Sequence, residues 1–216
     1  MKLHTYFRSS AAYRVRIALG LKGLDYDPVF VCLAEGEQKT AGYLAQNPQG
    51  LIPLLDMEGK VLSQSLAIIE YLDETHPEPP LLPGNPLERA RVRAMAQLVA
   101  CDIHPVNNLR MLKYLGGPMA QSKESIDLWY RHWITEGFRA LEELVSRYGG
   151  KSPGGGYCFG DQVTMADCLL VPQMWNARRF DTDLGPFPQL VDIDQRLQRI
   201  DAFREAAPEN QPDFPE

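Results

Sequence analysis

The first 76 residues alternate between short β-type stretches and helical stretches. The β-type stretches cover residues 3–7, 25–31, 51–57 and 60–62, and the helical ones cover 11–21, 36–44 and 65–72. In the first helical stretch, apolar residues recur at Ala11, Val15, Ala18 and Leu19, a spacing that puts them on one face of a helix. The order β-α-β-α-β-β-α predicts an α/β domain in which helices cover a sheet.

A proline-rich segment divides this alternating region from the rest of the chain. Residues 77–86 contain five prolines, which make the segment stiff and extended. Beyond it the apolar spacing predicts only helices, over 87–115 with a bend near Pro105, over 122–148 and 164–179, and within 188–206. We therefore expect a first domain over 1–79, a linker over 80–86 and an all-helical domain over 87–216. The tail from Pro208 is expected to wrap around the fold or fray.

Composition and charge restrict the class of partner. The chain has 216 residues, of which 44% are hydrophobic and 23% charged, as in ordinary soluble globular proteins. The net charge of −6 disfavours a general nucleic-acid or anionic-membrane surface. We expect a cytoplasmic protein without a signal peptide or membrane span. The four scattered cysteines are expected to be free thiols, with Cys101, Cys158 and Cys168 packed as small hydrophobic residues, and no metal site is expected.

Hydroxyl groups stand at two strand-to-helix junctions. Ser9 and Ser10 follow the first β-type stretch, and Gln64-Ser65 precedes the third helical stretch. The simplest interpretation is that these serines cap helices. The first turn of a helix also has unpaired N–H groups and a partial positive charge, which stabilise a thiolate or a carboxylate. Two such helix starts facing one cleft would suit a ligand with two anionic groups.

Two further motifs need a structural reason. Pro53 lies inside the β-type stretch 51–55, where a proline removes a ladder donor. Either an edge position or a cis bond after Ile52 would accommodate it. Thr164 and Asp167 have the spacing of a capping box, so we assign them the start of a buried helix and no catalytic role.

Together these motifs resemble a cytosolic glutathione transferase. The stretch from Ser9 to Leu19 reads Ser-Ser-x-x-x-Arg-Val-Arg-Ile-Ala-Leu and is similar to the zeta-class pattern Ser-Ser-Cys-x-x-Arg-Val-Arg-Ile-Ala-Leu. Further matches are Gln64-Ser65-x-Ala67-Ile68-Ile69-Glu70-Tyr71-Leu72, Val171-Pro172-Gln173, Ala177-x-Arg179-Phe180 and Gln211-Pro212-Asp213. The resemblance implies a thioredoxin-like N-terminal domain, an all-α C-terminal domain and a homodimer.

The resemblance also implies that glutathione is the cofactor. By position, the residues implied to contact it are Ser9, Ser10, Gln38, Ile52, Pro53, Gln64, Ser65, His104 and Asn108. Ser9 or Ser10 would donate a hydrogen bond to the thiolate, with Ser10 preferred because it is closer to the helix N-terminus. Ile52 would pair its backbone with the cysteinyl unit, and Gln64 and Ser65 would hold the γ-glutamyl end. Ala11 stands where many zeta members have cysteine, so the thiolate would depend on the hydroxyls and the helix dipole alone.

The implied activity is glutathione-dependent cis–trans isomerisation of a maleyl-type dicarboxylate, such as maleylacetoacetate to fumarylacetoacetate. A thiolate that adds to the double bond allows rotation, and positive charge stabilises the enolate that forms. Arginine suits carboxylates because its fork binds both oxygens. The candidates are Arg8, which we count as catalytic with Ser9 and Ser10, and Arg110 and Arg179, with Arg178 as a further option.

Several alternatives remain at this point. The substrate could be maleylpyruvate, or the enzyme could be a general glutathione transferase that acts on small α-haloacids. A further alternative is a protein that is not an enzyme, namely a binding module that turns over no substrate. Arg14 and Arg16 lie beyond the anion-binding end of the first helix and are assigned structural roles.

Overall fold

The computed structural model describes residues 1–152 and 155–215. Contacts divide the chain into two compact units: Met1–Leu81 together with the segment from Gln198 onward, and Leu82–Leu197. The sequence prediction had placed everything after residue 86 in the helical domain. The C-terminal segment groups with the first unit because the hydroxyl of Tyr13 donates to the Phe203 carbonyl at 3.2 Å and Nε of Arg16 donates to the Ala206 carbonyl at 3.0 Å.

The first unit has the predicted thioredoxin-like alternation of strands and helices. Its elements are β1 (Lys2–Thr5), α1 (Ser10–Leu21), β2 (Asp27–Phe30), α2 (Ala41–Gln46), β3 (Leu54–Met57), β4 (Lys60–Ser63) and α3 (Ser65–Thr75). The sheet order is β2-β1-β3-β4, with β1 parallel to β2 and antiparallel to β3, and β3 antiparallel to β4. The expectation that Pro53 lies inside a strand is wrong, because β3 begins one residue later, after a cis Ile52–Pro53 peptide bond.

Helix α1 is the most deeply buried helix start in this unit. It is buried from Ser10 through Leu19, so its core-facing surface is wider than the single apolar stripe that the sequence predicts. Arg14 and Arg16 are each only 2% exposed, although they are charged. Both must therefore make their hydrogen bonds inside the protein, since a buried charge without partners is costly.

The second unit is built from helices. They are α4 (Pro86–Gln97), α5 (Leu109–Gly116), α6 (Lys123–Tyr148), α7 (Met165–Arg179) and α8 (Pro188–Leu197), and the C-terminal segment adds α9 (Asp201–Glu205). The continuous helix expected over 87–115 is wrong. A π-helical turn over Leu98–Ile103 and a 3-10 turn over Pro105–Asn107 interrupt it, because the N–H of His104 bonds to the Val99 carbonyl and Pro105 has no N–H to donate.

The predicted capping box at the start of α7 is confirmed. The backbone N–H and the hydroxyl of Thr164 donate to Asp167 at 2.7 and 2.9 Å, and the N–H of Cys158 donates to the same carboxylate at 2.9 Å. Burial raises the pKa of Asp167 and of the Cys158 thiol. Both oxygens of the Asp167 carboxylate therefore accept hydrogen bonds that hold the start of α7.

The cysteines differ in exposure. All four are free thiols, and Cys158 and Cys168 are buried as expected. Cys101 is exposed, contrary to the sequence expectation, because it lies in the π-helical turn that breaks the helical periodicity. In the described part of the chain, no helix is long and apolar enough to cross a membrane, and no three metal-binding side chains form a group that could hold an ion.

Candidate functional site

Buried contacts hold the loop between β1 and α1. The N–H of Ser9 donates to the Tyr6 carbonyl at 3.0 Å, and the N–H of Phe7 donates to Oδ2 of Asp213 at 2.8 Å. Nη2 of Arg16 donates to the Phe7 carbonyl at 3.2 Å. Burial lowers the pKa of Arg16 to about 10, so its guanidinium stays charged at neutral pH. The backbone that leads into the first serine is therefore held from several sides.

Ser9 and Ser10 occupy different positions at this junction. Ser9 is the N-cap of α1, is partly exposed, and accepts a hydrogen bond from the N–H of Ala12 at 3.2 Å. A hydroxyl that accepts from an N–H keeps its own proton to donate. Ser10 is the first helical residue and is 7% exposed. Arg8 is half-buried beside them, with its guanidinium carbon 5.9 Å from the centre of the Phe7 ring.

The start of α3 has an unusual backbone. Gln64 precedes the helix with φ 71° and ψ 115°, and its side chain does not cap the helix. Residues other than glycine avoid positive φ, and such conformations are concentrated at functional sites. The Ser65 hydroxyl is buried and accepts from Nη1 of Arg14 at 3.2 Å, while Nε2 of Gln64 donates to Oε1 of Gln49 at 2.8 Å. Among the described residues, no side chain caps the first-turn N–H groups of α3.

The loop before β3 presents backbone groups. Ile52 lies outside the strand ladder, and no backbone hydrogen bond in the described part of the chain uses its N–H or its C=O. Gln38 lies in a 3-10 turn over Glu37–Lys39 and is 9% exposed. Its Oε1 atom is buried and has no hydrogen-bond partner among the described residues. This turn packs against Gly50, where an added Cβ would lie 2.9 Å from the Gln38 carbonyl oxygen.

The first-unit candidates are linked by hydrogen bonds. Arg14 joins α1 to Ser65 on α3, and the contact between Gln49 and Gln64 joins the loop before β3 to the start of α3. Helix α1, the start of α3 and the loop that precedes Ile52 are therefore connected within one unit. Helix N-termini bind anions, and an unpaired backbone edge binds an extended peptide. Chemically, the arrangement suits a short peptide with a negative group at each helix start.

In the second unit, three candidates lie together at the start of α5. Asn108 caps this helix and accepts from the N–H of Arg110 at 3.1 Å, and its Nδ2 lies 3.4 Å from Nε2 of His104. His104 directly follows the π-helical turn, so the interruption of the helix determines where these residues lie. The Arg110 side chain is exposed.

The arginines at the end of α7 have different surroundings. Arg178 forms an ion pair with Asp194 at 2.5 Å, and Asp194 is buried. Arg179 is exposed, with its guanidinium carbon 4.8 Å from the centre of the Phe180 ring. Burial raises the pKa of Tyr130 to about 12 against the opposing effect of the Arg179 charge. Arg178 is thus held by an ion pair with a buried carboxylate.

Comparisons with known proteins agree with this geometry. The chain matches the glutathione S-transferase N-terminal domain over residues 3–80 and the C-terminal domain over 127–206. It is 50% identical to a probable maleylacetoacetate isomerase of Vibrio cholerae over 98% of this chain and 97% of that protein. A holo structure of maleyl pyruvate isomerase, a bacterial zeta-class glutathione transferase, is 46% identical with a TM-score of 0.94, and all of both chains is covered. The chain belongs to the zeta class of the glutathione transferases.

A third relative of this zeta-class chain was solved with ligands. The maleylacetoacetate isomerase of Anaeromyxobacter dehalogenans is 41% identical, with a TM-score of 0.87, and the match covers 100% of this chain and 97% of that one. Its active site holds dicarboxyethyl glutathione and citrate. In the zeta-class chain described here, Ala11 is 9% exposed directly after the two serines, at the place of the cysteine in the class pattern.

Two residues outside the set of candidates named from the sequence form hydrogen bonds with candidate residues in the first unit. Arg14 was assigned a structural role, and its guanidinium donates to the hydroxyl of Ser65. Its spacing of one helical turn after Ser10 was a usable signal, because residues four apart share a helix face. Gln49 was not singled out, although it binds Gln64. No local pattern predicts that contact, since it joins a loop to a distant helix start.

Proposed function

We propose that this chain is a cytoplasmic, glutathione-dependent cis–trans isomerase that converts maleylacetoacetate to fumarylacetoacetate. The observation that carries the proposal is the pair of helix starts connected to the unpaired backbone edge at Ile52. Glutathione matches this arrangement because it is a short peptide with a thiol in the middle and carboxylates at its ends. The relatives that share the whole chain are named for the same reaction or a closely similar one.

The residues present fit glutathione. Ser65 and the uncapped first turn of α3 would hold the γ-glutamyl carboxylate together with Gln64. The N–H and C=O of Ile52 would pair with the cysteinyl unit, next to the cis peptide bond at Pro53. The buried Oε1 of Gln38, which has no partner in the described part of the chain, would accept from a ligand N–H. His104 and Asn108 are proposed as further contacts.

Ser9 is proposed as the donor to the sulfur, in place of the Ser10 preferred from sequence. Bound glutathione would supply a thiolate that adds reversibly to the double bond, so that the bond rotates before the thiolate leaves. The partly exposed hydroxyl of Ser9 accepts from Ala12 and would direct its own proton to the sulfur. The positive end of α1 would add to the stabilisation of the thiolate. Ser10 is buried and would support the turn.

Three arginines are proposed to bind the substrate carboxylates. Arg8 lies beside the serines, and Arg110 and Arg179 are exposed in the second unit. Their charges would also stabilise the negative oxygen that develops when the double bond is attacked. The dicarboxyethyl glutathione bound by the Anaeromyxobacter relative supports a dicarboxylate as the substrate class. Arg178 is left out of this set because it is paired with Asp194.

Maleylpyruvate is the second candidate substrate. The observation that favours it is the full-length similarity to the maleyl pyruvate isomerase, with a TM-score of 0.94. Among the described residues, no contact favours small α-haloacids over these dicarboxylates.

A homodimer is proposed from the family resemblance, and sedimentation of the purified protein tests it.

The test is a direct assay of both substrates. Purified protein is mixed with glutathione and either maleylacetoacetate or maleylpyruvate, and the loss of the cis isomer is followed by absorbance. We expect turnover that requires glutathione and does not consume it. S-Methylglutathione, which lacks a free thiol, should support no turnover. Binding of glutathione without turnover of either substrate would contradict the proposed reaction.

A further inference from the structure

Two buried side chains converge on the carbonyl of Leu51. The hydroxyl of Tyr43, on α2, donates to this oxygen at 2.7 Å, and Nδ2 of Asn47 donates to it at 2.7 Å. Tyr43 and Asn47 are 6% and 4% exposed. Burial raises the pKa of Tyr43 to about 12, so its hydroxyl keeps the proton that it donates. Both lone pairs of one loop carbonyl are therefore used by side chains from within the fold.

This carbonyl belongs to the same peptide unit as the N–H of Ile52. The cis bonds in the described residues are Ile52–Pro53 and Glu78–Pro79, so the Leu51–Ile52 peptide is trans. In a planar trans peptide the C=O and the N–H point in opposite directions. Holding the Leu51 oxygen against α2 therefore fixes the Ile52 N–H on the opposite side. Hydrogen bonds to the oxygen also polarise the peptide and make its N–H a better donor.

Asn47 extends the same control to a second part of the site. Its Oδ1 accepts from the N–H of Gln49 at 3.3 Å, and its C=O accepts from the N–H of Gly50 at 2.9 Å. The side chain of Gln49 in turn accepts from Gln64 at 2.8 Å. One asparagine thus orders the turn that contacts the start of α3 as well as the peptide that precedes Ile52.

We infer that Tyr43 and Asn47 are positioning residues for glutathione: by holding the Leu51 carbonyl they aim the Ile52 N–H at the cysteinyl unit. The inference rests on the proposed function. The ring of Tyr43 packs in one buried cluster with Ile52, Val31 and Leu54, so its hydrophobic contacts do not need the hydroxyl. Removing the hydroxyl alone therefore separates positioning from packing.

The experiment compares Tyr43→Phe with Tyr13→Phe. The Tyr13 hydroxyl is also buried and donates to a backbone carbonyl, that of Phe203, at 3.2 Å. Titration calorimetry with glutathione should show a dissociation constant raised about fivefold in Tyr43→Phe, the effect of about one neutral hydrogen bond. It should be unchanged in Tyr13→Phe. Asn47→Ala, which loses contacts to both Leu51 and Gln49, should bind more weakly than Tyr43→Phe.

Steady-state kinetics distinguish a positioning role of Tyr43 from a purely structural one. In Tyr43→Phe we expect KM for glutathione to rise while kcat at saturating glutathione stays within about twofold of the parent. Wild-type affinity in Tyr43→Phe, or an equal loss in Tyr13→Phe, would overturn the inference. If the parent binds glutathione and the affinities differ as expected but neither substrate is isomerised, the reaction fails and the positioning role stands. If the parent does not bind glutathione, both fail.

Discussion

The two helix starts of the first unit differ, although each has a serine. At the start of α1, Ser9 has an ordinary extended backbone with φ −75° and caps the helix through the N–H of Ala12. At the start of α3, Gln64 has φ 71° and gives no side-chain cap, and the Ser65 hydroxyl accepts from Arg14. The protein thus satisfies part of the first turn of α1 and leaves the first turn of α3 uncapped.

This difference shows how similar local sequences can serve two chemical tasks. A capped start keeps a serine proton that can be donated to one atom, which suits a thiolate. An uncapped start offers several N–H groups at once, which suits a carboxylate with two oxygens. The guanidinium of Arg14 at Ser65 strengthens the second site, because it adds positive charge beside the helix N-terminus. We expect variants at the two starts to fail in different measurements.

Ser9→Ala should have the largest effect of these variants, and it should act on kcat. Without this donor less of the bound glutathione is ionised at neutral pH, and we expect kcat to fall by roughly a hundredfold, as it does when a preorganised donor to an anion is lost. Affinity for glutathione should change little, because its γ-glutamyl end binds elsewhere. The measurement is the isomerase rate at saturating glutathione, together with the pH dependence of thiolate absorbance, which should shift to higher pH.

Ser122→Ala is the matched control for Ser9→Ala. Ser122 caps α6 and accepts from the N–H of Ser125 at 3.2 Å, the same length as the Ser9 contact. Both variants should lose about 1 kcal/mol of unfolding free energy with the cap, while Ser122→Ala keeps full activity. A larger loss of activity in Ser10→Ala than in Ser9→Ala would show that the sulfur donor is Ser10.

Ser65→Ala should act on binding and on stability. A buried hydrogen bond to a charged group contributes about 1.5–3 kcal/mol, so urea unfolding should show a loss of that order. Glutathione affinity should fall about tenfold, because the carboxylate loses a hydroxyl donor. Its control is Thr5→Val, which removes the hydroxyl that accepts from buried Arg16 at 3.0 Å. Equal loss of affinity in both variants would mean that Ser65 acts only through the fold.

The sequence was informative where structure depends on neighbouring residues. Ser9 as a cap and the box at Thr164 and Asp167 follow from capping rules that need only three or four residues. The expectation that Ser65 caps α3 is wrong, because Ser65 is the first helical residue and its hydroxyl accepts from Arg14. The alternation of strand and helix likewise predicted an α/β unit, and the zeta-class resemblance implied that this unit is thioredoxin-like. The zeta-class resemblance then implied which of these junctions would contact glutathione.

The remaining features depend on packing between distant segments. The contact of Arg14 with Ser65 needs the angle between α1 and α3, which no local pattern gives. The tail joins the first unit because Arg16 bonds to the Ala206 carbonyl, 190 residues further along the chain. The π-helical turn that exposes Cys101 adds residues to a turn without any proline or glycine inside it. Such contacts are defined only in the folded chain, so the local sequence does not predict them.

Gln64→Gly should have the smallest effect on folding, and it tests whether the side chain at this unusual backbone position contacts the ligand. Glycine adopts φ 71° without a Cβ clash, so relief of strain should outweigh its greater unfolded-state entropy and raise the unfolding free energy by about 0.5–1 kcal/mol. Glutathione affinity should nevertheless fall severalfold, because the variant lacks the side chain that is proposed to contact the γ-glutamyl end. Glu58→Gly, at φ 56° in the turn between β3 and β4, is the control and should be stabilised without any change in affinity. If Gln64→Gly binds glutathione as the parent does, the side chain of Gln64 does not contact this ligand.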